Sequence, residues 1–203
     1  QIMTMRSSWG GLDFSYLAAI GGKNMNQQSH FDKGSFTLDL GGVRWFTDLG
    51  ADNYNVSGGY WGEDGYTLYR TKTEGHNCLV INPDKTSPGQ TPGGYAPLTY
   101  KASKDKGAIA VYDLKDVYQG QVNSYNRGFY FGEDRNTLVV RDELELTNAN
   151  SNIYWFLHTA NSKIEISADG KSATVEKNGK KLKVEVLCNA SEWKLEARDA
   201  DYL

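Results

Sequence analysis

Short alternating runs of apolar residues, each closed by Gly, Asn or Asp, recur along the whole sequence. No long stretch carries the 3.6-residue period of a helix, so the chain reads as strands joined by turns. Phe14–Ile20 is closed by Gly21-Gly22. In Gly34–Leu40, the residues Phe36, Leu38 and Leu40 alternate with Thr37 and Asp39. Gly41-Gly42 then turns the chain and Val43–Asp48 returns, a hairpin signature. Further strands are predicted at Asn77–Asn82, Ile109–Leu114, Gly128–Phe131, Thr137–Leu146 and Ile153–Thr159. The end reads as a meander of Lys163–Ser167, Ala173–Lys177, Lys181–Cys188 and Trp193–Ala197, with turns at Ala168-Asp169-Gly170 and Asn178-Gly179. So many short strands predict an all-β fold, a large antiparallel two-sheet β-sandwich, filling one domain over residues 1–203.

Composition narrows the function classes. Apolar residues make up 39%, enough for a packed core. The net charge of −3 and pI of about 5.6 give no basic field for nucleic acid. A local basic groove on such a protein still leaves room for a polyanionic substrate. Cys78 and Cys188 allow one disulfide, though two cysteines on core strands is the plainer reading. No apolar run approaches membrane length, and no signal peptide opens the chain. Gln1-Ile2-Met3 and Asp201-Tyr202-Leu203 read as cut points within a longer protein. Residues 83–98 hold all four prolines and read as a long surface loop that covers or shapes a site.

The chain has only three histidines. His30 precedes the first hairpin strand and Asp48 follows the second, so the hairpin should bring both to one open end. With His76, they make two imidazoles and a carboxylate, a common first shell for zinc with a fourth place for water. The competing reading is scattered hydrogen-bonding residues at strand ends. His158, in the apolar run Trp155-Phe156-Leu157-His158, reads as a satisfied core or surface histidine.

Several segments resemble the heparinase II/III-like polysaccharide lyases. Gln28-Ser29-His30-Phe31-Asp32-Lys33-Gly34-Ser35-Phe36 resembles their His-x-His-x-Asp-x-Gly-Ser-Phe segment. Trp45-Phe46-Thr47-Asp48-Leu49-Gly50 is similar to their aspartate-glycine turn. Tyr69-Arg70-Thr71-Lys72-Thr73-Glu74-Gly75-His76-Asn77 is similar to their tyrosine-to-His-Asn block. Met5-Arg6-Ser7-Ser8-Trp9 and Ile153-Tyr154-Trp155-Phe156-Leu157-His158-Thr159 fit earlier and later parts of the same domain.

The resemblance implies a β-sandwich domain that follows an N-terminal α-helical toroid, with an acidic polysaccharide bound between the two. It implies a structural zinc on His30, Asp48 and His76, with Asp32 as an outer hydrogen-bond anchor. The implied reaction is β-elimination at a uronic acid, in a periplasmic or secreted bacterial enzyme. Nucleic acid and membrane are not implied partners. Candidate catalytic positions are Gln28, Tyr60 and Tyr66; candidate substrate contacts are Trp61, Tyr69 and Arg70. Gln28 stands where the family often has a histidine, and a glutamine can donate hydrogen bonds but does not carry a proton at neutral pH. That departure favours one rival, a non-catalytic carbohydrate-binding or structural β domain with the zinc site; a zinc hydrolase using an open metal position to activate water is a third reading, disfavoured because no separate general base is identifiable. Without the helical domain, this stretch alone is expected to be inactive.

Overall fold

Alternation in the sequence becomes alternation in burial. Phe36, Leu38 and Leu40 are buried while Thr37 and Asp39 between them are half-buried, because successive side chains of a strand leave opposite faces. The structure is a computed structural model that describes residues 1–24, 28–56, 58–62, 64–104 and 106–200. Ser57 and Glu63 of the glycine-rich loop, and the end Asp201-Tyr202-Leu203, lie outside the described residues.

In chain order the strands are β1 (Ile2–Arg6), β2 (Tyr16–Ile20), β3 (Gly22–Lys23), β4 (Phe36–Leu40), β5 (Val43–Phe46), β6 (Leu79–Ile81), β7 (Tyr95–Ala96) and β8 (Leu98–Lys104). They continue as β9 (Gly107–Asp113), β10 (Val122–Gly132), β11 (Leu138–Leu146), β12 (Ile153–Trp155), β13 (Lys163–Ile166), β14 (Ser172–Lys177) and β15 (Lys180–Glu185). Among the described residues the only helical elements are short 3₁₀ turns at Asp64–Thr67, Thr73–Gly75 and Asp116–Tyr118.

The fold is all-β, with its strands in several antiparallel sheets. One four-stranded sheet runs β1-β2-β4-β5 and another runs β11-β10-β9-β8. A three-stranded sheet, β13-β14-β15, and the pairs β12-β6 and β3-β7 complete the set among the described residues. The two four-stranded sheets contribute to one core that joins Leu17, Phe36, Leu38 and Trp45 with Ala110, Tyr112, Phe129 and Phe131. The Phe36 ring meets Phe129 edge-on at 5.5 Å, and the Tyr112 hydroxyl donates to the Ala19 carbonyl at 3.3 Å. Edge-to-face rings and area removed from water hold these faces together.

The Gly41-Gly42 turn, with φ of 56° and 75°, closes the β4–β5 hairpin as expected. Asn178-Gly179, at 52° and 72°, closes β14–β15 with the paired left-handed conformations of a tight hairpin. Trp193–Ala197 is not a strand: among the described residues one backbone hydrogen bond, Leu195 N–H to the Gly170 carbonyl, fastens it without a ladder. β1 and β8 were not anticipated, and β10 begins six residues before the expected Gly128. Both cysteines are free; Cys78 is buried, but Cys188 is exposed rather than in the core.

Three connections position the site. His30 lies just before β4 and Asp48 just after β5. His76 follows the 3₁₀ turn Thr73–Gly75 and leads into β6. Pairing of β6 with β12 then brings His158 alongside. The proline-bearing stretch 83–98 helps to shape this region, because Gln90 is buried there. Its Nε2 donates to the Lys33 carbonyl at 2.6 Å, and its Oε1 accepts the Lys33 N–H at 3.1 Å.

Candidate functional site

The hairpin and the 3₁₀ turn bring His30, Asp48 and His76 into one cluster. The His30 and His76 ring centroids are 5.2 Å apart, and His76 Nδ1 lies 2.7 Å from Asp48 Oδ2. Asp48 Oδ1 accepts the Gly50 N–H at 2.7 Å, which fixes the turn after β5. Burial alone would raise the Asp48 carboxyl, but hydrogen bonding and charge from His76, with the Gly50 N–H, bring it down to about 2. Burial, and then repulsion from His76, lowers the pKa of His30, which favours the neutral imidazole that metals need.

His76 is buried, and its Nε2 has no hydrogen-bond partner among the described residues. A buried unpartnered imidazole nitrogen beside a second imidazole and an ionised carboxylate matches zinc in donor chemistry. As the side chains stand, Asp48 orients His76 through a hydrogen bond. Among the described residues, no group of three or more His, Cys, Asp or Glu side chains is arranged to hold a metal ion.

Tyr60 is buried, with its hydroxyl 3.2 Å from His30 Nε2, and it accepts the Asp52 N–H at 3.0 Å. Its ring stacks on Tyr54 at 4.4 Å and meets Trp61 edge-on at 4.7 Å. Trp61 is half-buried, its ring 5.8 Å from that of His30. Tyr66 packs edge-on against Phe31 at 5.5 Å, and burial raises its pKa. Gln28 is exposed and has φ of 62°, a left-handed backbone unusual for a residue with a Cβ. Asp32 pairs with the buried Lys33, which also donates to the His30 carbonyl at 3.4 Å, so the pair anchors the segment from behind.

Arg70 donates to the Leu49 carbonyl at 2.5 Å and to the Ala51 carbonyl at 3.3 Å. It is therefore engaged in holding the Asp48 turn. Tyr69, its neighbour, is half-buried with its hydroxyl 3.0 Å from His158 Nε2. His158 is buried and satisfied, as its apolar context predicts, and burial first, then His76, lowers it to about 4.

Sequence reasoning left Asn77 and Arg127 without roles. The buried Asn77 amide donates to the Phe36 carbonyl at 2.7 Å and the Thr47 carbonyl at 3.1 Å, pinning both hairpin strands to the loop after His76. The adjoining His76-Asn77 pair was the available signal. Arg127, fully buried, donates to the carbonyls of Gly34 and Asn77, both at 2.9 Å, and pairs with Asp142 through two hydrogen bonds.

Comparison with known proteins places this geometry in context. Residues 16–201 match the family model described as Heparinase II/III-like, C-terminal. No curated protein matches the chain in sequence. Among solved structures, the chain is similar to the heparinase III BT4657 gene product, with a TM-score of 0.67 and 18% identity over 85% of this chain and 25% of that one. It is also similar to the heparan sulfate lyase HepC from Pedobacter heparinus, with a TM-score of 0.72 and 16% identity over 93% of this chain and 28% of that one. The chain thus spans about a quarter of the length of these structures.

Proposed function

The chain belongs to the heparinase II/III-like C-terminal family, and from that premise we propose that it is the C-terminal β-sandwich domain of a lyase that cleaves a uronic-acid-containing polysaccharide by β-elimination. The observation that carries this reading is the cluster of His30, His76 and Asp48, with His76 Nε2 buried and unpartnered. A zinc ion on His30, Asp48 and His76 would supply a fixed positive charge that ties the turn after β5 to the loop before β6.

In β-elimination a base removes the weakly acidic C5 proton of the uronate, a C4=C5 double bond forms and the C4–O bond breaks. Donors aimed at the substrate carboxylate lower that barrier. This chain supplies one wall of such a cleft. Tyr60 orients His30, Arg70 holds the Asp48 turn, and Trp61 presents a half-buried ring suited to stacking on a sugar. Gln28, exposed at the lip, offers amide hydrogen bonds. The base, and the other wall, belong to an N-terminal helical domain of the same protein, and the enzyme works in the periplasm or outside the cell.

The test uses the full-length protein with its N-terminal region. Absorbance from new unsaturated uronates is followed on heparan sulfate, the substrate named for the Pedobacter relative, then on alginate and other uronate polymers. A rise on one of them is expected. A folded, zinc-loaded protein silent on all would favour the non-catalytic carbohydrate-binding reading, which Gln28 supports. Metal analysis tests the ligands separately: His30→Ala and His76→Ala should each lose zinc, and unchanged content would reject the assignment.

A further inference from the structure

The loop between β1 and β2 carries an exposed cluster of rings around one guanidinium. Met3 and Met5 of β1 are buried, so Arg6 leaves the opposite, outer face of the sheet. Strand pairing sets Arg6 beside Tyr16, Tyr16 beside Asp39 and Asp39 beside Arg44. Asp39 and Arg44 flank the Gly41-Gly42 turn, so this row lies at the opposite end of the β4–β5 hairpin from His30 and Asp48. The Arg6 guanidinium carbon stands 4.3 Å from the ring centroid of Trp9, 5.5 Å from that of Phe14 and 5.9 Å from that of Tyr16. Its Nε donates to the Ser8 carbonyl at 2.7 Å. Two hydrogen bonds close the loop at its base: the Ser7 N–H to the Ser15 carbonyl at 3.0 Å, and the Ser15 N–H to Ser7 Oγ at 2.8 Å.

Trp9 is therefore held in place, yet it is 89% exposed, which leaves the ring face away from Arg6 open to solvent. The acidic groups nearby are already compensated, Asp39 by Arg44 and Asp13 by Lys180 at 3.7 Å. Among the described residues no carboxylate pairs with Arg6. We propose that Trp9 and Arg6 form a second saccharide site, which binds a run of uronate units. One pyranose ring stacks its C–H face on the open side of Trp9, and the carboxylate of a neighbouring unit meets the Arg6 fork. Arg6 covers one side of the indole and the sugar takes the other, so a single unit cannot reach both and the site selects a chain. It shares with the lyase reading only the class of polymer, and binding here needs no cleavage.

The test is tryptophan oxidation of the full-length protein in a brief pulse, mapped by mass spectrometry. The ligand is an alginate tetrasaccharide, whose charges are carboxylates only, against neutral maltotetraose. Trp9 should be oxidised readily in the free protein, while Trp45, 3% exposed, serves as the protected reference. The acidic tetrasaccharide at a few times its Kd should slow Trp9 oxidation by about 1 + [L]/Kd, roughly threefold or more. Maltotetraose should leave the rate unchanged, and Arg6→Gln should abolish the protection by the acidic ligand. A slow Trp9 in the free protein would mean that another part of the protein covers it, and would overturn the proposal. No protection by the acidic ligand, or equal protection by the neutral one, would overturn it as well. Trp61, beside His30, reports the proposed cleft separately. Protection of Trp61 alone therefore rejects the second site and leaves the lyase reading standing, while protection of Trp9 alone supports the second site without it.

Discussion

His158 shows how one buried residue sets a pH dependence. Its imidazole titrates near 4 in the folded chain against an ordinary 6.5, first because burial disfavours the cation and then because of His76. Between those values the unfolded chain binds a proton that the folded chain does not, so acidification favours unfolding. The stabilisation is complete above 6.5 and is lost as the pH falls toward 4, amounting to about 3 kcal/mol at most. His30, lowered by burial and by His76, acts in the same direction. Urea unfolding across this range should show the loss in the wild-type protein and a flatter profile in His158→Gln. Equal slopes would assign the effect to other groups.

At the level of elements, what the sequence made legible follows local rules. The alternation of Phe36, Leu38 and Leu40 and the Gly41-Gly42 turn define a hairpin, and the hairpin carries His30 and Asp48 to one end. Trp193–Ala197 shows the limit of the same rule. Its Trp193, Leu195 and Ala197 alternate like a strand, but among the described residues only one backbone bond is made, and Trp193 instead lies under Lys171 Nζ at 3.8 Å. Alternation reports a face and not a partner. The glycine-rich loop was legible as a loop, but its tight packing was not. A Cβ on Gly65 would stand 1.7 Å from the Tyr60 carbonyl oxygen, which is backbone and cannot swing aside. Gly65→Ala should therefore displace Tyr60, which touches His30, and cost roughly 1–3 kcal/mol in thermal or urea unfolding. Gly59, with φ of 84° and nothing within 4 Å, should cost only about 1–2 kcal/mol as Ala, from backbone strain alone. Zinc content should fall in the first variant and hold in the second.

Across the whole molecule, the site depends on a sheet that contributes none of its candidate residues. Arg127 rises from β10 and reaches Gly34, just before β4, and Asn77, just before β6, while Asp142 of β11 neutralises it. Tyr125, from the same strand, donates to the same Asp142 carboxylate at 3.0 Å. One guanidinium thus satisfies two buried carbonyls on either side of the histidine cluster and joins them to the second four-stranded sheet. Its position gave no warning: Arg127 precedes the expected strand start at Gly128, and an isolated arginine between Asn126 and Gly128 reads as solvent-facing. Its burial follows from the contact of two sheets that no local pattern encodes. Removing one partner of a buried pair leaves the other charge uncompensated, at about 3–5 kcal/mol. Arg127→Met leaves Asp142 and two carbonyls in that state, so its Tm should fall by roughly 6–20 °C for a domain of this size. Arg127→Met/Asp142→Leu removes the stranded charge and should recover part of that loss, whereas a double variant no more stable than the single would place the cost in the Gly34 and Asn77 carbonyls. Because Asn77 adjoins His76 and fixes His158, the single variant should also lose zinc at temperatures where it is still folded.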